Sequence, residues 1–153
     1  MTVRVELIAE IANAHQGDPA VAESLALAAA KAGADAVKFQ VYFADELLVE
    51  RHPRFQHFRR QAFTPQVWQR LLGAIRGRGV RVYCDVFGPR ALEAAASAGA
   101  DGFKIHSSDL GNEPLLEAAA AQGRPIFLAV GGSTASEIAR AAAIVARESR
   151  SRP

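Results

Sequence analysis

Ala32-Gly-Ala-Asp-Ala-Val-Lys-Phe-Gln40 is echoed 66 residues further along the chain by Ala98-Gly-Ala-Asp-Gly-Phe-Lys-Ile-His106. Each copy closes a helix-like segment with a glycine and then enters an apolar, strand-like run. A lysine inside such a run is costly unless it is paired or faces a ligand. The repeat therefore predicts two equivalent strands that present Lys38 and Lys104 at matching positions.

Strand-like and helix-like segments alternate along the whole chain. The predicted strands are residues 5–12, 35–42, 80–87, 102–107 and 125–130, and the predicted helices are 20–30, 65–78, 89–98, 113–122 and 134–148. This alternation predicts parallel βαβ units with right-handed crossovers, either in a doubly wound sheet or in a barrel.

The repeat favours the barrel. Its offset spans two strand-helix units, and alternate strands of a TIM-type (β/α)8 barrel share an interior layer. We therefore predict an α/β fold of this type with only the first five units present, over residues 1–148. Residues 149–153 are expected to form a polar tail or linker.

Composition limits the possible functions. The 153 residues are half apolar and carry a formal charge of +2, which is consistent with one globular domain. The basic residues form no stripe of the kind that binds nucleic acid. The single cysteine excludes an intrachain disulfide, and no apolar run reaches the roughly 18 residues of a membrane span. We expect a cytoplasmic protein without nucleic acid or membrane partners.

Candidate site residues lie at or just beyond the carboxyl ends of the predicted strands, where TIM-type barrels carry their active sites. Beside the two lysines they are Glu10, His15, Gln40, Asp85, Ser107, Asp109 and Gly131. Strand alternation places Gln40 on the same face as Lys38, and the backbone N–H groups around Gly131 could approach an anion. The long connection from Ala44 to Thr64 is rich in arginine and histidine. It is either a cationic lid over the same rim, which would suit an anionic substrate, or a charged loop that is only solvated.

Several short strings in this order resemble the barrel domain of the N-acetylneuraminate (sialic acid) synthases. They include Ile8-Ala-Glu-Ile11, His15-Gln-Gly-Asp18, the segment that ends at Gln40, and Asn112-Glu-Pro-Leu-Leu116. The resemblance covers nearly the whole chain. It implies an enzyme that joins phosphoenolpyruvate to an N-acylated aminosugar such as N-acetylmannosamine, and that releases phosphate and a nonulosonic acid.

The resemblance also implies roles for individual residues. Lys38 and Lys104 would bind the carboxylate and phosphate of phosphoenolpyruvate, with Ser107 as a further phosphate donor. Glu10 would lie near the reacting carbons. A compact ammonium is suited to this task because it is a point charge with no demand for a planar partner.

The resemblance further implies residues that bind the sugar and a metal that takes part in the reaction. The sequence also departs from the family pattern at two positions. Gln40 and Asp109 would hold sugar hydroxyls. The family uses a divalent metal, Mn²⁺ or Mg²⁺, whose histidine ligands belong to later strands that this chain lacks. Asp85 and Ala129 stand where the family has hydroxyl residues, and a carboxylate at Asp85 would repel phosphate unless it is paired with Lys104 or a metal.

Two alternatives remain open from the sequence. One is a Schiff-base aldolase in which Lys104 is the nucleophile. The other is a non-catalytic barrel fragment that supplies part of a composite structure. Because five strands leave two unpaired sheet edges, we also expect association, with a homodimer or larger oligomer as the simplest form.

Overall fold

A computed structural model describes the backbone of residues 5–150 and the side chains of residues 5–148. Its centre is one five-stranded parallel sheet with the strand order β1-β2-β3-β4-β5. The strands are β1 (Ile8–Ala12), β2 (Ala36–Tyr42), β3 (Arg81–Phe87), β4 (Gly102–Ile105) and β5 (Ile126–Leu128). All five predicted strands are confirmed, although β2 and β3 are one residue shorter than predicted and β1, β4 and β5 are two or three residues shorter. The sequential order means that each crossover returns to the next position in the sheet.

Within residues 5–150, seven α-helices connect and follow the strands. They are α1 (Pro19–Lys31), α2 (Ala44–Leu47), α3 (Phe55–Gln61), α4 (Pro65–Arg76), α5 (Pro89–Ser97), α6 (Glu113–Ala120) and α7 (Ala135–Arg150). Asp18, Thr64 and Asn112 accept hydrogen bonds from first-turn N–H groups of α1, α4 and α6. Among residues 5–150, no helix is long and apolar enough to cross a membrane.

One face of the sheet is covered by helices and forms the core. Val37, Phe39, Val82, Cys84 and Phe103 have no exposed surface and belong to one apolar cluster with side chains from the helices. Alternate residues of the same strands point to the opposite face. Lys38 and Lys104 lie on that opposite face, so burial of their apolar neighbours fixes the orientation of both lysines.

The long connection between β2 and α4 is more ordered than its charged composition indicated. It contains two short helices, α2 and α3, and is anchored by the buried ring of Phe55. Phe58 packs edge-on against Tyr42 with ring centroids 5.3 Å apart. The sequence did not predict these two helices, because Phe55 and Phe58, which anchor the connection, lie among many charged residues.

Candidate functional site

Strand register brings several candidate residues into two rows on the face of the sheet opposite the helices. We call this surface the polar face. Glu10, Lys38 and Tyr83 are neighbours in the first row. The second row continues from Gln40 through Asp85 to Lys104, which in turn pairs with Phe127. Side-by-side residues of parallel strands point to the same face, so these groups share one surface.

Lys38 occupies the first row as a mostly buried cation. Its side chain is 12% exposed, and its Nζ donates a hydrogen bond to the carboxylate of Glu10, which is 49% exposed. Burial, followed by the positive charge of Lys104, lowers the pKa of Lys38 from its usual value. The two ammonium groups are therefore near enough to repel one another.

Lys104 occupies the second row and is held by a buried acid. Its Nζ contacts Oδ2 of Asp85, whose side chain has no exposed surface, while Lys104 itself is 22% exposed. The other oxygen of Asp85 is buried and has no hydrogen-bond partner among the described residues. The pairing of Asp85 with Lys104, one of the two conditions set by the sequence, is thus present.

The segment after β4 adds hydroxyl and carboxylate groups at the same end of the sheet. Ser107 begins a single turn of 3-10 helix that ends at Asp109. Asn112 donates a hydrogen bond of 3.3 Å to Asp109. The ring of His106 packs 5.1 Å from that of Phe87. Ser107 and Asp109 therefore lie just beyond the strand that carries Lys104.

His15 lies on the helix side of the sheet, apart from the two lysines. Its ring is 2% exposed and is packed 4.4 Å from Phe63 and 6.4 Å from Trp68, between centroids. Nδ1 accepts a hydrogen bond of 3.0 Å from the N–H of Gly17. Phe39, which also contacts the ring, points to the helix side of the sheet. His15 consequently stabilises the turn between β1 and α1 rather than the polar face.

Burial of His15 predicts a pH dependence of stability. Burial lowers its pKa below the usual 6.5, so the folded state keeps the ring neutral where the unfolded chain binds a proton. The contribution is complete above about pH 6.5 and is lost as the pH falls below it, by up to about 1.4 kcal/mol per pH unit. We expect His15→Phe to lose less stability than the parent between pH 7.5 and pH 5.5 in urea titrations. Equal losses would contradict the assignment.

Gly131 is the last of the predicted site residues along the chain. Gly131 is exposed in the turn after β5 and has no atom within 4 Å of the position that a Cβ would occupy. Its backbone is accessible. Across residues 5–150, no group of three or more histidine, cysteine or acidic residues is placed to hold a metal ion. The described residues therefore do not fit a metal site.

Tyr83 is a site-facing residue that the sequence reasoning missed. It lies beside Lys38 in the first row, and its hydroxyl donates a 3.0 Å hydrogen bond to Glu6. Its spacing of two residues from Asp85 on the same strand was the available signal, because such residues share a face.

Comparisons with known proteins bear on the fold and the family of this chain. The model of the NeuB family matches residues 25–152. A solved N-acetylneuraminic acid (sialic acid) synthetase from Leptospira borgpetersenii, in complex with citrate, superposes with a TM-score of 0.89 at 30% identity. That match covers 96% of this chain and 52% of the other.

Two curated relatives extend the comparison. An N,N'-diacetyllegionaminic acid synthase of Legionella pneumophila is 26% identical over 146 residues, which is 86% of this chain and 41% of the relative. An uncharacterized protein of Methanocaldococcus jannaschii is 29% identical over 132 residues, or 86% of this chain and 39% of the relative. The chain thus spans about two fifths of the length of these relatives. Since the family model matches most of its residues, the chain belongs to the NeuB family.

Proposed function

We propose that this chain forms the phosphoenolpyruvate-binding part of a sialic acid synthase-type enzyme. The reaction condenses phosphoenolpyruvate and water with an N-acylated aminosugar, N-acetylmannosamine-like in structure, to give a nonulosonic acid and phosphate. The observation that carries the proposal is that Lys38 on β2 and Lys104 on β4 lie together on the polar face of the sheet. Family membership and the resemblance to named synthases support it.

The charge of the substrate explains why two lysines are needed. Phosphoenolpyruvate carries a carboxylate and a phosphate, and each requires a fixed cation if it is to leave water. Lys38 and Lys104 can supply one ammonium to each end, because they lie in adjacent rows of the same face. Ser107, just beyond Lys104, would add a hydroxyl donor to the phosphate. Holding the donor in a fixed orientation lowers the barrier to its reaction with the sugar.

The remaining polar groups have places in the same scheme. Glu10, paired with Lys38 and half exposed, would lie near the reacting carbons. Gln40 and Asp109 would accept or donate hydrogen bonds to sugar hydroxyls. The exposed backbone at Gly131 offers N–H groups to an anion. Among the described residues, no group of three or more histidine, cysteine or acidic side chains is placed to hold the divalent metal of the proposed reaction. The role proposed for the polar groups named above is to bind and position the substrates.

We further propose that the sheet is the first five-eighths of a TIM-type barrel and that the enzyme is a homodimer or larger oligomer. The sequential strand order and the coverage of about half of the solved synthetase support the first point. Leu7, immediately before β1, and Phe127, in β5, expose apolar side chains beside the two outer edges of the sheet. These side chains support the second point, because they offer apolar surface for further contacts along the edges.

Ligand-induced stabilisation tests the proposal. Phosphoenolpyruvate at about a hundredfold excess over its dissociation constant adds roughly 2.7 kcal/mol, which should raise the thermal midpoint by about 5 to 10 °C. Lys38→Met should abolish the shift, because it removes one of the two cations without stranding a buried partner. The readout is circular dichroism during heating, with and without ligand.

Lys31 provides a matched control. It is the third lysine of the chain and lies exposed in the last turn of α1, away from the polar face. Lys31→Met should retain the full shift. A cooperative transition that phosphoenolpyruvate does not move would contradict the proposed function. A shift that survives in Lys38→Met would show that the ligand binds elsewhere.

A further inference from the structure

The two lysines on the polar face are already neutralised by acidic neighbours. Lys38 is paired with Glu10 and Lys104 with Asp85, so the four formal charges of these two rows cancel. An anionic ligand therefore meets ammonium groups that are already engaged. Whether a ligand can take over each ammonium depends on what happens to the carboxylate that it displaces.

The two carboxylates differ in their access to water. Glu10 is half exposed, so water can solvate it once Lys38 turns to a ligand. Asp85 has no exposed surface, and its second oxygen already lacks a hydrogen-bond partner among the described residues. If Lys104 left it, neither oxygen would have a hydrogen-bond partner, and an uncompensated charge would remain buried. The Lys104 pair is thus much harder to open than the Lys38 pair.

We propose that Asp85 is an internal counter-ion that competes with the anionic substrate for Lys104, and that it thereby sets the affinity of this site for phosphate-bearing ligands. The inference rests on the proposed function and names a specificity-determining residue within it. Binding at Lys104 requires the ligand to separate a buried ion pair, so part of its interaction with the ammonium is offset. Binding at Lys38 carries only a small penalty of this kind.

Neighbouring groups make the competition specific to Lys104. Gln40 lies beside Asp85 on β2 and is uncharged, so it cannot replace the ammonium as a counter-charge. Lys38 is close enough for the charge of Asp85 to act on it, but its own Nζ is bonded to Glu10. Tyr83, two residues earlier on β3, is bonded to Glu6. Among these neighbours only Lys104 donates a hydrogen bond to the acid.

Calorimetric titration, which measures the affinity for phosphoenolpyruvate and separately for inorganic phosphate, tests the proposal. All titrations are done at one ionic strength and in a buffer without phosphate. Asp85→Asn keeps the shape of the side chain and removes its charge. We expect it to bind phosphoenolpyruvate at least tenfold more tightly than the parent. Asp85→Thr introduces a smaller uncharged residue that suits a strand, and we expect the same gain in affinity. This second variant still tests the proposal if Asp85→Asn does not fold.

Two controls separate the counter-ion effect from a general change in charge. Glu10→Gln removes one negative charge from the other pair, and we expect less than a threefold gain because water already shares that carboxylate. The double variant Asp85→Asn with Lys104→Met should lose the gain, because the freed ammonium is absent. Circular dichroism establishes that each variant is folded.

The outcomes distinguish this inference from the proposed function. If the parent binds phosphoenolpyruvate and the folded Asp85 variants bind it no more tightly, the counter-ion role is wrong while the proposed function stands. An equal gain from Glu10→Gln would also overturn it, since general electrostatics would then suffice. If neither the parent nor any folded variant binds phosphoenolpyruvate, both proposals fail together.

Discussion

Replacing Lys104 with methionine should lower the free energy of unfolding by about 3 to 5 kcal/mol, the usual cost of removing one partner of a buried ion pair. The reason is the fully buried carboxylate of Asp85, which contacts Lys104 and has no other hydrogen-bond partner among the described residues. Methionine has nearly the same length, so the lost packing is small. Urea or guanidinium titration followed by circular dichroism measures the change.

The equivalent change at Lys38 should cost much less. Its partner Glu10 is 49% exposed, so Lys38→Met leaves a carboxylate that water can solvate. Pairs of this kind contribute about 1 kcal/mol or less. Because the two lysines hold matching positions in the repeat, the comparison isolates the burial of the acid from the loss of an amine.

A double variant tests the same explanation from the other side. Adding Asp85→Asn to Lys104→Met removes the uncompensated charge and should restore most of the lost stability, since neutral replacements of buried pairs are often tolerated. If the double variant is as unstable as Lys104→Met, the loss comes from packing and not from the stranded carboxylate. A loss below 1 kcal/mol in Lys104→Met would contradict the buried pair itself.

The sequence predicted the sheet and the orientation of its lysines because two simple periodicities determine them. Apolar residues of β2 and β4 alternate with Lys38 and Lys104, and burial of the former leaves only one orientation for the latter. The repeat then placed the two lysines on alternate strands of a sheet whose order is sequential. Local pattern and topology agreed, so this part of the site could be predicted.

The position of His15 could not be predicted in the same way. It follows β1 in a turn, where no periodicity relates a side chain to either face of the sheet. Its environment is made by Phe63 and Trp68, residues about fifty positions later that approach only after the chain has folded. The short helices α2 and α3 were missed for a similar reason, because tertiary contacts of Phe55 and Phe58 stabilise them.

The pairing of Asp85 with Lys104 lies between these cases. The sequence placed both residues on neighbouring strands and identified the pair as one of two ways to accommodate the acid. It could not show that Asp85 would be completely buried, because burial depends on the side chains that surround it in the folded sheet. That burial distinguishes Asp85 from Glu10, and it is the basis of the proposed competition for Lys104.

Trp68→Ala should be as costly as the loss of Lys104, at about 3 to 5 kcal/mol, through a different mechanism. Trp68 is 2% exposed and joins α4 to the core through ring contacts of 5.0 Å with Phe63 and 5.8 Å with Phe39. It also packs edge-on against His15, so its removal would loosen the turn after β1, the strand that carries Glu10. Because the chain has one tryptophan, far-UV circular dichroism must replace fluorescence in the titrations.

Trp68→Phe is the matched control for this cavity. The indole Nε1 is buried without a hydrogen-bond partner among the described residues, so its loss removes an unsatisfied donor while an aromatic ring remains. We expect a cost below about 1.5 kcal/mol, typical of a milder change in core volume. A phenylalanine variant as unstable as the alanine variant would mean that the indole N–H is bonded in solution. The apolar contacts of the ring would then explain only part of the effect.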